Sequence, residues 1–586
     1  MLIVNRLKFL LIPTVQLCVL GIISFSVYAE TDINQIEQQQ FNQYQQRIEN
    51  IEDRIAQPFV SLDKSTQTDD LLRVPLNETP CFNIYKVELV LPDKSSLKRQ
   101  FATILGPIKY GRGSILGKCI GQQGLNYAVR NVQNELIKQG FITSQASLLA
   151  QDLTTGTLEI TIIPGRLDKV WRGKDGHPNV NVSNALVLDK GDIINLRDIE
   201  TSLENFRLPQ SHLTTIDIVP SINATDNEQY GSSDLVVTQK RANRIQWQLG
   251  IDDSGNKDTG QYQGTISATI DRPLASNDVL NLSYTHTIDP WNNVDSSSNN
   301  ESIYANYRYP YKNWQLQLTY SDYGFDQTLA GLNDDIIYRG RSDNSAVDLQ
   351  RIIHRDSESK TIATVGGYHG NSKNFFDDIE IEVQRRRFAG WKAGINHQRQ
   401  TALGEFNASL QYQRGTGAFS AIQAPESFIS EAESQPSVWE AQFNLRSPFY
   451  ISNASYQYNL QWRGQYSPDI LIPQDRFSIG GRYTLKGSSE EQSLSGEKGM
   501  LLQQEIARIL PLPNQMTLMP YFTLDQGWVD GDSTQFLAGK YLVSTSFGAR
   551  LYSSNISIDG FIGKSLQAPS SFDKDTVGGF RVTVYN

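Results

Sequence analysis

From about residue 241 onward, apolar and polar residues alternate with a period of two. Trp314, Leu316, Leu318 and Tyr320 alternate with Gln315, Gln317, Thr319 and Ser321. Phe406, Ala408, Leu410 and Tyr412 alternate with Asn407, Ser409, Gln411 and Gln413. Leu518, Phe522 and Leu524 do the same against Thr517, Tyr521, Thr523 and Asp525. Such a segment turns one face to an apolar phase and the other to water. Segments of this kind recur near 245, 262, 279, 302, 315, 347, 361, 390, 405, 438, 455, 500, 517, 541, 556 and 577, separated by loops rich in Asn, Asp, Gly and Ser. That count of about sixteen is even, as a closed antiparallel bacterial barrel requires, and a barrel of that size leaves a water-filled lumen. The pattern predicts a transmembrane β-barrel over 241–586. A large soluble β-sandwich or propeller shares the alternation but gives no reason for the polar second face, the aromatics and an export signal to occur together.

The preceding 240 residues follow other rules. Arg6 and Lys8 precede a charge-free apolar stretch from Phe9 to Val27, and Val27-Tyr28-Ala29 offers a cleavage site before Glu30. This is the three-part pattern of a secretory signal peptide over 1–29. An uncleaved anchor helix is the alternative, since the stretch is long enough to span a membrane. Over 30–57, Ile33, Ile36, Tyr44, Ile48, Ile51 and Ile55 recur mostly at three-, four- and seven-residue steps. They predict a polar helix with one narrow apolar stripe, ended by Pro58 and able to pack on a partner or stand in a polar lumen. Residues 58–80 read as a linker.

Two small α+β units are predicted next, over 81–165 and 166–240. The first has a strand at Lys86 to Val90, a helix face of Leu125, Val129, Val132 and Leu136 closed by Gly140, and an alternating strand through Leu158, Ile160 and Ile162. The second repeats the order with Lys169 to Trp171, a helix from Leu196 to Phe206, and strands at Thr215 to Val219 and Leu235 to Gln239. Cys18 falls within the leader, leaving Cys81 and Cys119. An even pair in an exported chain reads as one disulfide, with two buried thiols as the alternative.

Composition narrows the classes. A mean hydropathy of −0.40 forbids a helical membrane bundle but not a barrel. The 26 Tyr, 24 Phe and 8 Trp would supply interfacial girdles. A net charge of −10 argues against general nucleic-acid binding. The sequence Phe561-Ile-Gly-Lys-Ser565 ends like a phosphate loop, but Ile558 stands where its first glycine belongs. No metal-ligand spacing or catalytic motif appears, so neither an enzyme nor a cofactor is expected.

The connection 467–499 is long and carries glycines, aromatics and basic residues rather than polar filler. Within it, Phe477-Ser-Ile-Gly-Gly-Arg-Tyr-Thr-Leu-Lys-Gly487 resembles the lumen-loop motif of the two-partner secretion (TpsB) transporters. These are the haemolysin-activator, filamentous-haemagglutinin-transporter and contact-dependent-inhibition (CdiB) proteins of the Omp85 superfamily. Pro520-Tyr-Phe-Thr-Leu-Asp-Gln-Gly-Trp528 resembles their F-x-D-x-G strand motif. Cys81-Phe-Asn-Ile and Gly117-Lys-Cys-Ile-Gly-Gln-Gln-Gly-Leu-Asn126 resemble the start of their first periplasmic (POTRA) domain, and Gly156 to Arg166 its end. Leu249-Gly-Ile-Asp-Asp-Ser-Gly255 resembles the first barrel strand.

The resemblance implies a plug helix at 30–57, POTRA domains at 81–165 and 166–240, and a sixteen-stranded barrel in the Gram-negative outer membrane. It implies that a large unfolded exoprotein (TpsA type: haemolysin, adhesin or CdiA-like toxin) binds the POTRA domains, displaces the plug and leaves through the lumen without ATP. Gly480, Gly481, Arg482, Tyr483, Leu485, Lys486 and Gly487 are the implied loop residues, with Asp525 and Gly527 as the barrel-wall partners. Lys486 stands where the family usually has arginine, Ser488 where it has an aromatic, and Asn586 where chains commonly end on an aromatic. An ion pair of Lys486 with Asp525, weakened by the missing guanidinium fork, is the expectation. Outer-membrane lipid, periplasmic chaperones and the barrel-assembly machinery are the other expected partners of a monomer. Competing classes are an Omp85-type assembly factor and a passive porin, for which a lumen loop and periplasmic domains would be needless.

Overall fold

The computed structural model describes residues 39–41, 43–48, 52, 59–62, 74–75, 78–91, 101, 103–177, 180–221, 231–288, 298–330, 334–424, 427 and 432–586. The expected leader at 1–29, Ile33, Ile36, Ile51, Ile55, Pro58 and most of the linker lie outside the described residues.

The first periplasmic unit is a three-stranded sheet in which Thr157–Ile163 is central, parallel to Lys86–Val90 and antiparallel to Gln145–Ser147. The helix α1, Gln122–Lys138, lays Ala128, Val132 and Leu136 on Leu158, Ile160 and Ile162 of that sheet. It ends because Gly140 adopts a φ of +90°, a conformation disfavoured with a side chain, and its N–H bonds the Ile137 carbonyl. Short pieces too brief to show a period complete the unit: a turn of helix at Gly106–Lys109 and a pairing of Phe82–Ile84 with Lys118–Ile120.

Beside that pairing, Cys81 and Cys119 form a disulfide with Cα atoms 5.3 Å apart. The Glu78 carboxylate accepts hydrogen bonds from the N–H groups of Gly121, Gln123 and Gly124 at 2.7–2.9 Å, satisfying the first turn of α1. The end of the linker is therefore fixed twice to the same unit. Closing a chain segment with a sequence separation of 38 constrains the unfolded state by about 4 kcal/mol. Changing both cysteines to serine should destabilise this unit by up to that amount. Limited proteolysis of the full-length protein should then cut within 81–165 while the barrel stays intact.

The second unit repeats the plan, with Ser232–Arg241 central, parallel to Arg166–Arg172 and antiparallel to His212–Pro220. Its helix α2, Leu196–Phe206, is opened by Asn195, whose side-chain oxygen accepts the Arg197 N–H at 2.9 Å. Ile199, Leu203 and Phe206 enter the unit's own core, whereas Glu200 and Glu204 turn to the barrel. Nine of its eleven residues are buried. The helix α2 is thus packed on both sides, against its own sheet and against the barrel rim.

Sixteen strands close the barrel: β1 Ile245–Asp252, β2 Gln263–Asp271, β3 Val279–Thr287, β4 Asn299–Tyr311, β5 Trp314–Leu329, β6 Ile336–Arg355, β7 Ser359–Phe376 and β8 Arg386–Thr401. The circuit continues with β9 Gly404–Thr416, β10 Ser437–Ile451, β11 Ala454–Tyr466, β12 Lys498–Leu512, β13 Met516–Asp530, β14 Tyr541–Tyr552, β15 Ile556–Gln567 and β16 Thr576–Tyr585. Each coincides with one of the sixteen predicted segments. A two-residue strand at Ile379–Glu380, in an outer loop, was not legible.

The alternation sorts as expected. Leu318, Val347, Val365, Ile395 and Leu410 are exposed on the outer wall, while Asp348, Thr523 and Asp525 are buried inside. Trp391, Tyr412, Trp439 and Tyr466 form an aromatic band toward the extracellular ends of β8–β11, with the Tyr412 and Trp439 rings 4.7 Å apart. Trp247, Trp314 and Tyr450 form its periplasmic counterpart. The seam is the shortest ladder, with five register pairs between β1 and β16. There the terminal Asn586 side chain accepts the Trp247 N–H at 2.8 Å, so the last residue prolongs the seam.

Candidate functional site: a lumen closed by a loop and a helix

The chain between β11 and β12 turns back into the barrel. Phe477–Ile479 pairs with Leu494–Gly496 as a small hairpin. Its apolar side, Phe477, Ile479, Leu485 and Leu494, packs on Leu501, Val529 and Leu542 of the inner wall. Gly527 makes this approach possible, since a Cβ there would lie 2.8 Å from the Ile479 Cδ1. At the tip, Gly481 has φ +76°, which favours glycine, and Gly487 lies on the wall itself. A Cβ on Gly487 would sit 2.4 Å from the Thr545 carbonyl oxygen and 2.7 Å from the Lys564 nitrogen. The glycine of the Phe561 to Ser565 segment serves the same approach from the other side, with Gly563 against the Gly487 Cα.

Arg482 is the ionic anchor of the tip. It donates to Asp253 Oδ1 at 2.7 Å, to the Asp253 carbonyl at 2.7 Å and to Glu490 Oε1 at 2.8 Å, and it covers the Phe561 ring at 5.5 Å. The Tyr483 hydroxyl accepts from Arg581 at 2.9 Å.

The expected ion pair of Lys486 with Asp525 takes another form. The backbone N–H of Lys486 donates to Asp525 Oδ2 at 3.0 Å, while the ammonium turns to Tyr521, 3.3 Å from its hydroxyl and 4.5 Å from its ring centre. Alternation placed Asp525 on the inner face, but it could not give the direction of a four-carbon side chain. Ser488 also has a part: its hydroxyl accepts the Gly481 N–H at 3.1 Å and donates to the Leu485 carbonyl at 2.8 Å, closing the tip on itself.

The second obstruction is the N-terminal helix, helical at 39–41 and 43–48 and lying in the lumen. Tyr44 is buried and stacks on Tyr323 at 4.7 Å, and Phe325, Tyr338 and Ile48 complete the cluster. The side chains of Gln39 and Gln43 both donate to the Glu490 carbonyl of the lumen loop, at 3.0 and 2.7 Å. Helix and loop thus hold each other. An open cavity of about 280 Å³, lined by Phe41, Tyr368, Gln413 and Arg463 among others, separates the helix from the β7–β11 wall. Tyr44→Ala should remove the buried aromatic side chain that wedges the helix against β5 and β6, at a cost of roughly 3 kcal/mol. Single-channel conductance in planar bilayers should rise and fluctuate, with unchanged barrel assembly.

Below the helix the chain passes through a clasp that sequence reading missed. The N–H groups of Val60 and Leu62 donate to Glu204 Oε1 and Glu200 Oε1 of α2, both at 2.8 Å. Arg355, at the periplasmic end of β6, reaches Glu204 at 2.9 Å and Glu200 at 3.2 Å, and also bonds the Val60 carbonyl. Lys360 on β7 reaches Glu204 at 3.0 Å. Arg355 and Lys360 cover the Phe59 ring at 5.3 and 5.8 Å. Burial pushes the Glu204 carboxyl up, but Lys360 and Arg355 reverse this and hold it below its ordinary value. One buried cluster therefore ties the plug's linker, the second periplasmic unit and the barrel rim together.

A barrel crossing the outer membrane, two α+β units at its periplasmic mouth, and a lumen filled by an inward loop and the chain's own helix define an outer-membrane transporter. The profile of the haemolysin secretion/activation proteins ShlB/FhaC/HecB matches residues 231–551, and that of the ShlB-type POTRA domain matches 111–165. The chain belongs to the ShlB/FhaC/HecB family. It is 27% identical to the outer membrane transporter CdiB-2 of Burkholderia pseudomallei (strain 1026b), over 86% of each chain. Over 73% of this chain and 74% of the relative, it is 24% identical to the hemolysin transporter protein ShlB of Serratia marcescens. The solved structure of CdiB from Acinetobacter baumannii superposes with a TM-score of 0.82 at 32% identity, covering 94% of this chain and 99% of that one.

Proposed function

We propose that this protein is the outer-membrane component of a two-partner secretion system, exporting one large exoprotein of the CdiA or haemolysin type. The observation that carries the reading is that both obstructions in the lumen belong to the chain itself and are held by contacts separate from the strand ladders that close the barrel. Kinship with CdiB and ShlB favours this over insertion of other barrels.

The exoprotein would arrive unfolded and meet the periplasmic units first. Their sheets leave Lys86–Val90, Gln145–Ser147, Arg166–Arg172 and His212–Pro220 as outer strands, where an extended chain could add main-chain hydrogen bonds. The helix then leaves the lumen and the chain passes outward. Folding outside would make the movement one-way, so no nucleotide hydrolysis and no catalytic group is required. The loop residues Gly480, Gly481, Arg482, Tyr483, Leu485, Lys486 and Gly487, with Asp525 and Gly527, hold the gate rather than perform chemistry. We assign the transporter as a monomer in contact with outer-membrane lipid, delivered by periplasmic chaperones and folded by the barrel-assembly machinery.

The test compares culture supernatant and periplasm with and without the gene. Loss of one very large protein from the supernatant, with other barrels at normal levels, is the expected result. Unchanged secretion with a general fall in outer-membrane barrels would replace the proposal with an assembly-factor role.

A further inference from the structure

Register places five amide side chains side by side across the inner wall. Gln398 on β8 pairs with Asn407 on β9, which pairs with Asn444 on β10, Gln461 on β11 and Gln503 on β12. All five face inward, because their strand neighbours Ile395, Leu410, Trp439, Tyr466 and Met500 are the exposed, outward residues of the opposite parity. At one end the row continues to Lys360 of the clasp, and at the other to Asp525 beneath the lumen loop. Strands tilt by roughly 35–45° in such barrels, so a row of register partners climbs the wall. Lys360 is the second residue of β7 at the periplasmic rim, whereas Asp525 lies five residues from the extracellular end of β13.

This side of the lumen is the one that the plug leaves open. Polar contacts of the plug's described residues include ones to β4, β5, the connection after β1 and the lumen loop, and the open cavity lies between the helix and the β7–β11 wall. Within the row only Gln503 is engaged by the loop, donating to the Tyr483 carbonyl at 3.0 Å. Among the described residues, the amide oxygens of Gln398, Asn444 and the neighbouring Asn396 have no hydrogen-bond partner.

We infer that this row is the track along which an unfolded polypeptide crosses the barrel, its backbone exchanging hydrogen bonds with successive side-chain amides. An amide offers both a donor and an acceptor, and so matches the N–H and C=O groups of an extended chain of any sequence. It is neutral, so each bond is weaker than a charge-assisted one and does not hold the cargo. Adjacent strands are spaced about 4.8 Å apart, whereas an extended chain advances about 3.3 Å per residue. The two periods do not coincide, and the cargo cannot lock all its bonds in phase. The row begins where the second periplasmic unit docks and ends where the loop tip rests, the two points that the export reading makes entry and gate. The inference rests on that reading.

The test uses the full-length transporter in cells, with the exoprotein whose secretion gene deletion abolishes, stalled in transit by a disulfide-closed domain fused to its C-terminus. A photo-reactive residue is placed at 398, 444 or 461, at the lipid-facing position 410, or at 283 on the plug side of the wall. Adducts with the exoprotein should form at the first three positions at least tenfold above the other two. In parallel, combining Gln398→Lys, Asn444→Lys and Gln461→Lys should lower secretion tenfold or more at an unchanged level of folded barrel. Asn444→Gln with Gln461→Asn should stay within twofold of wild type. Adducts concentrated at 283, or a triple lysine variant that secretes within twofold of wild type, would overturn the track while leaving export intact. Failure to find any exoprotein that depends on the gene would instead remove the export reading.

Discussion

Replacing Arg355 with alanine should unfasten the second periplasmic unit from the barrel and free the plug in the same step. The guanidinium is 4% exposed and serves Glu200, Glu204, the Val60 carbonyl and the Phe59 ring at once. Removing it leaves two buried carboxylates with only Lys360 and Arg197 to compensate them. Stripping one partner from a buried ionic cluster costs about 3–5 kcal/mol. That penalty falls on the docked arrangement and not on the barrel, whose wall is held by ladders on either side of the site. The expected results are rapid proteolysis near residues 59–62, higher and less stable conductance in planar bilayers, and reduced secretion at normal barrel levels. Arg355→Lys should lose less than Arg355→Ala, because a cation stays beside the two carboxylates although the guanidinium fork is gone. Arg355→Ala with undisturbed conductance and protease resistance would show that the cluster does not hold the plug.

The second large effect concerns the loop tip. Asp525→Ala should damage export and gating more than Lys486→Met, although a side-chain ion pair would make the two equivalent. The difference follows from which atoms meet: Asp525 accepts the backbone N–H of residue 486, which persists in the methionine variant. A hydrogen bond to a charged group contributes about 1.5–3 kcal/mol, and its loss leaves the amide buried without a partner. Lys486→Met gives up the bond to the Tyr521 hydroxyl and the contact with its ring, at about 0.5–2 kcal/mol. Gly487→Ala should resemble Asp525→Ala, since the added carbon meets backbone atoms on β14 and β15 that cannot move aside. Secretion titres and channel recordings on the three variants would decide the order; equal effects of Lys486→Met and Asp525→Ala would restore the ion-pair account.

These comparisons mark what the sequence could express. Strand positions were legible to within a few residues because each strand repeats one rule, apolar outward and polar inward, over eight to twenty residues. The lumen loop was legible because its composition departs from that of an ordinary connection. The clasp was not, because its members come from separated stretches at 59–62, 200–204 and 355–360. Nothing local distinguishes Arg355 from any other arginine at a strand end. Lys486 illustrates an intermediate case: its neighbourhood with Asp525 was foreseeable, but not which of its two nitrogen atoms would make the bond.

The two fixed points on the linker set a leash length for the plug. From Ile48 to the clasp at Phe59 is eleven residues, which reach at most about 38 Å when fully extended. From Ile48 to Glu78, pinned beside the disulfide, is thirty residues, with a reach of about 105 Å. While the clasp is shut, the helix can slide within the lumen and its periplasmic mouth but cannot swing clear of the path. Opening one cluster of charges nearly triples its range without any change in the barrel, and closing it again draws the same helix home. A disulfide placed on the far side of the leash is then an anchor that must outlast every cycle of export.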